Sequence, residues 1–302
     1  MTHPDFFIVG APKCATTALA EWLRAHPAVF MPAAKEPHYY NTDMGNCQLR
    51  SPAEYAGLFA EADTERQTVG EASVWYLYSR EAIPAILAAN PLARLIVGLR
   101  NPVTMAPSLH DQLVWNGQED EADFGAAWGL QERRAAGYAV PSRCPDARML
   151  LYREVCALGS QLARVYEHAS AEQVLPVLMD DLRDDPAREY ARVLDFLGLE
   201  HDGRTDFPVV NPAATHRSRL LHRVVRSLWA AGRLRRRLGL PRLGTGITQA
   251  VARRNTRARP PVPPRPEMLA ELRESFAPEV RRLEALLERD LEHWLSPQED
   301  RA

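Results

Sequence analysis

Residues 6–17 read Phe6-Phe7-Ile8-Val9-Gly10-Ala11-Pro12-Lys13-Cys14-Ala15-Thr16-Thr17, "FFIVGAPKCATT". An apolar run ends at glycine, with the length and texture of a strand buried on both faces of a parallel sheet. Beyond it Leu19, Trp22 and Leu23 share one helical face, and His26-Pro27 ends the segment. The amides of a helix N-terminus point outward and, with the helix dipole, favour an anion. Lys13 adds a mobile positive charge, and Thr16 and Thr17 add hydroxyl donors. The stretch therefore predicts a phosphate-type anion site after a buried strand.

The loop is neither GxxxxGK[ST], because its lysine comes early with no glycine before it, nor the dinucleotide pattern GxGxxG. Two further strand–helix units follow: "RLIVGLR" (Arg94–Arg100) before "VTMAPSLHDQLVW", and "QVLPVLM" (Gln173–Met179) before a helix stopped by Gly198. Strands alternating with helices predict an α/β fold with a parallel sheet covered on both faces. The chain of 302 residues is read as a single domain, 1–302. Within it lies an arginine-rich stretch, 217–259, with thirteen arginines and no Asp or Glu. An amphipathic C-terminal helix is expected over about 266–294.

A net charge of −2 excludes a chain that binds nucleic acid by overall electrostatics. No stretch has the length of a membrane span, and the N-terminus lacks a signal pattern. The four cysteines show neither CxxC spacing nor disulfide-framework density, which predicts free thiols and a cytoplasmic protein. Of the 37 basic residues only Lys13 and Lys35 are lysines. Lysine is thus reserved for a place where a compact ammonium differs from a planar fork.

"GAPKCATT" resembles the 5′-phosphosulfate loop of sulfotransferases that use 3′-phosphoadenosine 5′-phosphosulfate (PAPS), whose product nucleotide is PAP. The second unit is similar to that family's 3′-phosphate segment: Arg100 ends a strand, Asn101-Pro102 follows, and Ser108 lies eight positions on. The resemblance implies a P-loop-like parallel β-sheet flanked by helices. It places PAPS on Lys13, Cys14, Ala15, Thr16, Thr17, Ala18, Arg100 and Ser108. Weaker likeness continues through "GEASVWYL" (Gly70–Leu77) and "NPAATHRSRLLHR" (Asn211–Arg223). Four positions depart from the family pattern: Ala15 where glycine is usual, Met105 where a basic residue is common, His110 for tyrosine and Val74 for proline. Because of Met105, Arg217 and Ser218 are assigned as additional 3′-phosphate ligands.

Sulfuryl transfer needs in-line attack by a hydroxyl, or less readily an amine, as the bridging oxygen departs. Negative charge grows on that oxygen, and an ammonium such as Lys13 stabilises it. The segment "KEPHYY" (Lys35–Tyr40) is similar to one in heparan sulfate sulfotransferases that carries a glutamate base, which assigns Glu36. His38 is the rival base. His38, Tyr39 and Trp75 are candidates for the acceptor pocket. The acceptor is expected to be a small molecule, glycan or secondary metabolite, with no metal, nucleic acid or membrane partner. Two other readings stand beside this one: a P-loop nucleotide kinase such as an adenylylsulfate kinase, and a non-catalytic module binding anions through the arginine-rich stretch.

Overall fold

The structure is a computed structural model describing residues 3–33, 36–208 and 264–296, with the backbone alone at 214–216 and 256–258. Its centre is a five-stranded parallel sheet: β1 (Phe6–Gly10), β2 (Val29–Phe30), β3 (Thr68–Ala72), β4 (Arg94–Leu99) and β5 (Val174–Leu178). The strand order is β2-β3-β1-β4-β5. Phe6 pairs with Gly70 on one side and Arg94 on the other, so the opening apolar run is the middle of the sheet. That position explains why it carries no polar alternation.

Successive side chains divide between two apolar layers. Phe7, Val9, Leu95, Val97 and Leu99 enter one cluster, and Phe6, Ile8, Ile96, Leu175 and Val177 the other. The second layer is covered by α1 (Thr16–Arg24) and by α10 (Pro186–Leu197). The first takes in residues of α2 (Pro52–Gly57), α3 (Ala82–Ala89), α4 (Pro102–Asn116), α5 (Phe124–Gly129) and α7 (Tyr152–Val155). It also receives α8 (Leu158–Tyr166) and α11 (Pro266–Leu287). Two short helices complete this unit, α6 (Gln131–Ala135) and α9 (Met179–Asp184).

The helix boundaries follow from local chemistry. Asn101 caps α4 by accepting from the Val103 amide, Pro102 supplies its first turn, and Gly117 ends it at φ 65°. Gly198 ends α10 in the same left-handed way at φ 70°. The last helix, expected to reach Trp294, stops at Leu287: Glu288 turns left-handed at φ 49°, and a separate 3₁₀ turn holds Glu292–Trp294. That turn docks on the sheet's carboxyl edge. Trp294 Nε1 donates to Asp180, its carbonyl accepts from Asn101 Nδ2 at 3.2 Å, and Arg289 pairs with Asp181.

Residues 211–263 form a second compact unit, in which β6 (Ala214–His216) pairs antiparallel with β7 (Thr256–Ala258). The other residues of the arginine-rich stretch, Arg217 and Ser218 included, lie outside the described residues, as does Lys35. No helix among the described residues is long and apolar enough to cross a membrane.

Candidate active site

The chain builds β1, β2 and β3 to one side, then returns to place β4 and β5 on the other. The crevice between the carboxyl ends of β1 and β4 is therefore a topological switch point, where α/β sheets bind ligands. Both phosphate-type segments open into it. Residues 11–15 leave β1, and the Ala11 amide donates to the Gly98 carbonyl of β4 at 2.8 Å. Gly98 permits this approach, since a Cβ there would lie 2.9 Å from the Gly10 carbonyl oxygen and 3.0 Å from that of Cys14.

The loop is wound tightly. Lys13 and Ala15 have φ of 67° and 55°. Ala15 occupies the N-cap of α1 with no side-chain cap, and the first intrahelical bond is Leu19 N–H to the Ala15 carbonyl at 3.2 Å. The amides of the preceding first turn, Thr16 to Ala18, point out of the helix end into the crevice. Thr16 and Ala18 are both buried at this helix end. Burial pushes the Cys14 thiol up to about 12 against the pull of Arg100, so it is a neutral packing group. Ala15 accepts a conformation that costs an L-residue roughly 1–2 kcal/mol. Ala15→Gly is therefore expected to raise stability by about 1 kcal/mol in urea unfolding; a lowered midpoint would contradict the strain.

Arg100 links the two segments. Its Nη1 donates to the Lys13 carbonyl at 3.1 Å and its Nε to Thr104 Oγ1 at 3.1 Å. Burial lowers its proton affinity, Cys14 and the Asp180 carboxylate nearby raise it in part, and no carboxylate among the described residues ion-pairs or hydrogen-bonds with it. A half-buried guanidinium held only by neutral oxygens is a site prepared for an anion. Ser108, partly exposed, lies one helical turn beyond Thr104. The sequence reading missed Thr104, although Arg100, Thr104 and Ser108 recur every four residues along one face. Met105 faces the other way, fully buried in the apolar layer, which explains why it is not basic. His110 is also buried and bonds the Glu121 carbonyl at 2.9 Å, a packing role.

The other group of candidates rests on the turn after β3. Glu36 N–H donates to the Ala72 carbonyl at 3.1 Å, and His38 N–H to Ser73 Oγ at 3.1 Å. The turn is itself bound to β1, through Ser73 N–H to Ile8 and Leu77 N–H to Val9. Glu36 and His38 both have left-handed backbones, φ 59° and 47°. His38 Nε2 lies 3.3 Å from Glu36 Oε2; the Glu36 side chain is 30% exposed and that of His38 only 4%. The carboxylate is the group an acceptor can reach, and the imidazole stands behind it. Tyr39 stacks on Tyr55 at 4.1 Å and lines a cavity of about 400 Å³ with Tyr40, Thr42, Cys47, Arg50 and Ala85. Trp75 is buried in the core against Tyr78, away from solvent.

A model of the sulfotransferase domain matches residues 3–209. The chain belongs to the sulfotransferase family. It is 32% identical over 202 residues to the human heparan sulfate glucosamine 3-O-sulfotransferase 6, covering 65% of this chain and 53% of that protein. It is 31% identical over 197 residues to the mouse heparan sulfate glucosamine 3-O-sulfotransferase 3A1, covering 65% and 46%. The chain thus spans about half the length of these curated relatives. Among solved structures, a sulfotransferase from Alicyclobacillus acidocaldarius aligns with 98% of this chain and 100% of its own. The TM-score of that alignment is 0.72, at 26% identity. The five-stranded parallel sheet flanked by helices is accordingly the sulfotransferase fold.

Proposed function

We propose that this sulfotransferase moves a sulfuryl group from PAPS to a hydroxyl of a small molecule or glycan, with Glu36 as general base. The observation that carries the reading is Arg100, lodged between the Lys13 loop and α4 and hydrogen-bonded there to neutral oxygens, with Asp180 near but not ion-paired to it among the described residues. A nucleotide bearing a phosphate at each end of its ribose fits this arrangement. The outward amides of α1 and the side chains of Lys13 and Thr17 would take the 5′ group, Arg100 and Ser108 the 3′ group. Arg217 and Ser218 remain part of the proposed 3′ site on the family resemblance alone.

PAPS, when bound, supplies the sulfuryl group and departs as PAP. Glu36 accepts the proton of the attacking hydroxyl on a carboxylate oxygen as the new O–S bond forms. The His38 imidazole beside it orients that carboxylate. Lys13 offers its ammonium to the phosphate oxygen that gains charge as the old O–S bond breaks. The likeness to 3-O-sulfotransferases of glucosamine favours an oxygen acceptor over an amine. Free Cys14, Cys47, Cys144 and Cys156 suit a reducing compartment, which supports the cytoplasmic assignment.

Calorimetric titration with PAP, followed by a mass-shift screen of hydroxylated acceptors with PAPS, tests the reading. One PAP should bind, and an acceptor should gain one sulfate; no affinity for PAP would refute it. Arg100→Ala is expected to weaken PAP roughly 10- to 100-fold, the worth of charge-assisted bonds to one phosphate. Unchanged affinity would remove Arg100 from the 3′ site.

A further inference from the structure

We propose that Glu71 is a positioning residue for the transfer: through the Tyr76 hydroxyl it fixes the main chain that carries Glu36 and His38. The proposal rests on the base assignment made above, and its geometry stands independently of it. Glu71 lies near the end of β3 and is fully buried. Its Oε2 accepts from the hydroxyls of Tyr55 at 3.0 Å and Tyr76 at 2.9 Å. Tyr76 Oη in turn accepts the main-chain N–H groups of Tyr39 at 3.0 Å and Tyr40 at 3.3 Å. A phenolic oxygen takes two N–H donors only when its own proton is directed elsewhere, and Glu71 is where that proton points.

With the bonds from Glu36 to Ala72 and from His38 to Ser73, four main-chain donors of residues 36–40 are held by residues 72–76. This fastening answers the question raised by the backbone. Two left-handed residues, Glu36 and His38, sit in a three-residue stretch, a conformation that persists only where its surroundings enforce it. Tyr76 and Ser73 are the enforcing side chains, and Glu71 sets the direction of the Tyr76 hydroxyl.

The groups facing Glu71 are Tyr55 from α2, Tyr76 and Ser73 from the turn after β3, and Tyr40 and Glu36 from the held segment itself. No cationic side chain bonds it among the described residues. Burial pushes its carboxyl up to about 7, the hydroxyls of Ser73, Tyr76 and Tyr55 draw it back, and the Glu36 charge adds to the rise. Near neutral pH Glu71 therefore exchanges a proton with the medium. Ionised, it is the stronger acceptor and keeps the Tyr76 proton turned away from the Tyr39 and Tyr40 amides. Its negative charge also raises the proton affinity of Glu36. Protonated, it loosens the hold and leaves Glu36 the weaker base, so both effects favour transfer as pH rises through neutrality.

Amide hydrogen exchange on the full chain, followed by NMR from pH 6 to 8, tests the inference in Tyr76→Phe and Glu71→Gln. Both changes preserve shape. In the wild type, protection factors of His38, Tyr39 and Tyr40 should rise through about pH 7. Tyr76→Phe should lower those of Tyr39 and Tyr40 about tenfold at every pH, the loss of their shared hydrogen-bond acceptor. Glu71→Gln should abolish the pH dependence. PAP affinity, measured by calorimetry, should stay within about twofold in both variants. With the acceptor found in the mass screen, kcat should fall, KM for PAPS should hold, and the rising limb of the kcat profile near neutrality should vanish in Glu71→Gln. Wild-type protection in both variants, or an unaltered limb in Glu71→Gln, would overturn the proposal. A wild-type chain that fails to bind PAP would instead sink the sulfotransferase chemistry, while the exchange data would still decide the role of Glu71 in holding the segment.

Discussion

Replacing Glu36 by glutamine is expected to lower kcat roughly 10²- to 10⁴-fold, the span general-base catalysis supplies, with PAP affinity unchanged within about twofold. The amide keeps the shape of the carboxylate and can still meet the His38 imidazole, but it cannot accept the proton of the attacking hydroxyl. The proposed PAP site, the Lys13 loop and Arg100, lies on the β1–β4 side of the carboxyl edge. Glu36 hangs from the Ala72 carbonyl on the β3 side. The two effects should therefore separate in calorimetry and steady-state kinetics. Near-normal turnover in Glu36→Gln would transfer the role of base to another group, with buried His38 the next to test.

Arg134→Ala is expected to cost about 3–5 kcal/mol of folding stability, read as a lower urea midpoint. The side chains of Arg134 and Glu119 are both completely buried and meet at 2.8 Å. Glu119 also accepts from the Tyr152 hydroxyl at 2.7 Å and from the amides of Asp120 and Glu121 at 2.9 Å. Removing the guanidinium leaves a carboxylate in apolar surroundings without a counter-charge. The double change Glu119→Gln with Arg134→Met should recover much of the loss, because it removes both charges while an amide oxygen still serves Tyr152. A double variant as unstable as the single one would show that packing, rather than the unpaired charge, sets the cost.

The parts of the site that follow one another along the chain were legible in the sequence. Strand, loop and helix at 6–24 fall where the apolar run, Lys13 and the threonines place them, and so do β4, Arg100 and α4. The resemblance of two separated segments brought them to one crevice. Contacts between distant residues left no local mark. The bond from Arg100 to the Lys13 carbonyl uses a main-chain oxygen, which no residue type announces. β3 went unread because Glu71 breaks its apolar run, although burial among tyrosine hydroxyls is what lets a carboxyl sit there. Arg134 carries no local mark of its burial, since its partner Glu119 lies in a loop fifteen residues earlier. Trp75, a candidate for the acceptor pocket in a family-like segment, is buried beside Tyr78.

The docking of the 3₁₀ turn at Glu292–Trp294 bears on how the protein is made. Asn101, which caps the helix carrying Thr104 and Ser108, waits for a carbonyl 193 residues further along the chain. During synthesis at about 5–20 residues per second, the central strands emerge many seconds before that partner. Through that interval Asn101, Asp180 and Asp181 face water, and the apolar layer lacks Phe276, Val280 and Leu283 of α11. The nascent chain is thus most exposed to misassociation while the crevice between β1 and β4 is already outlined and its lid of packing is still on the ribosome.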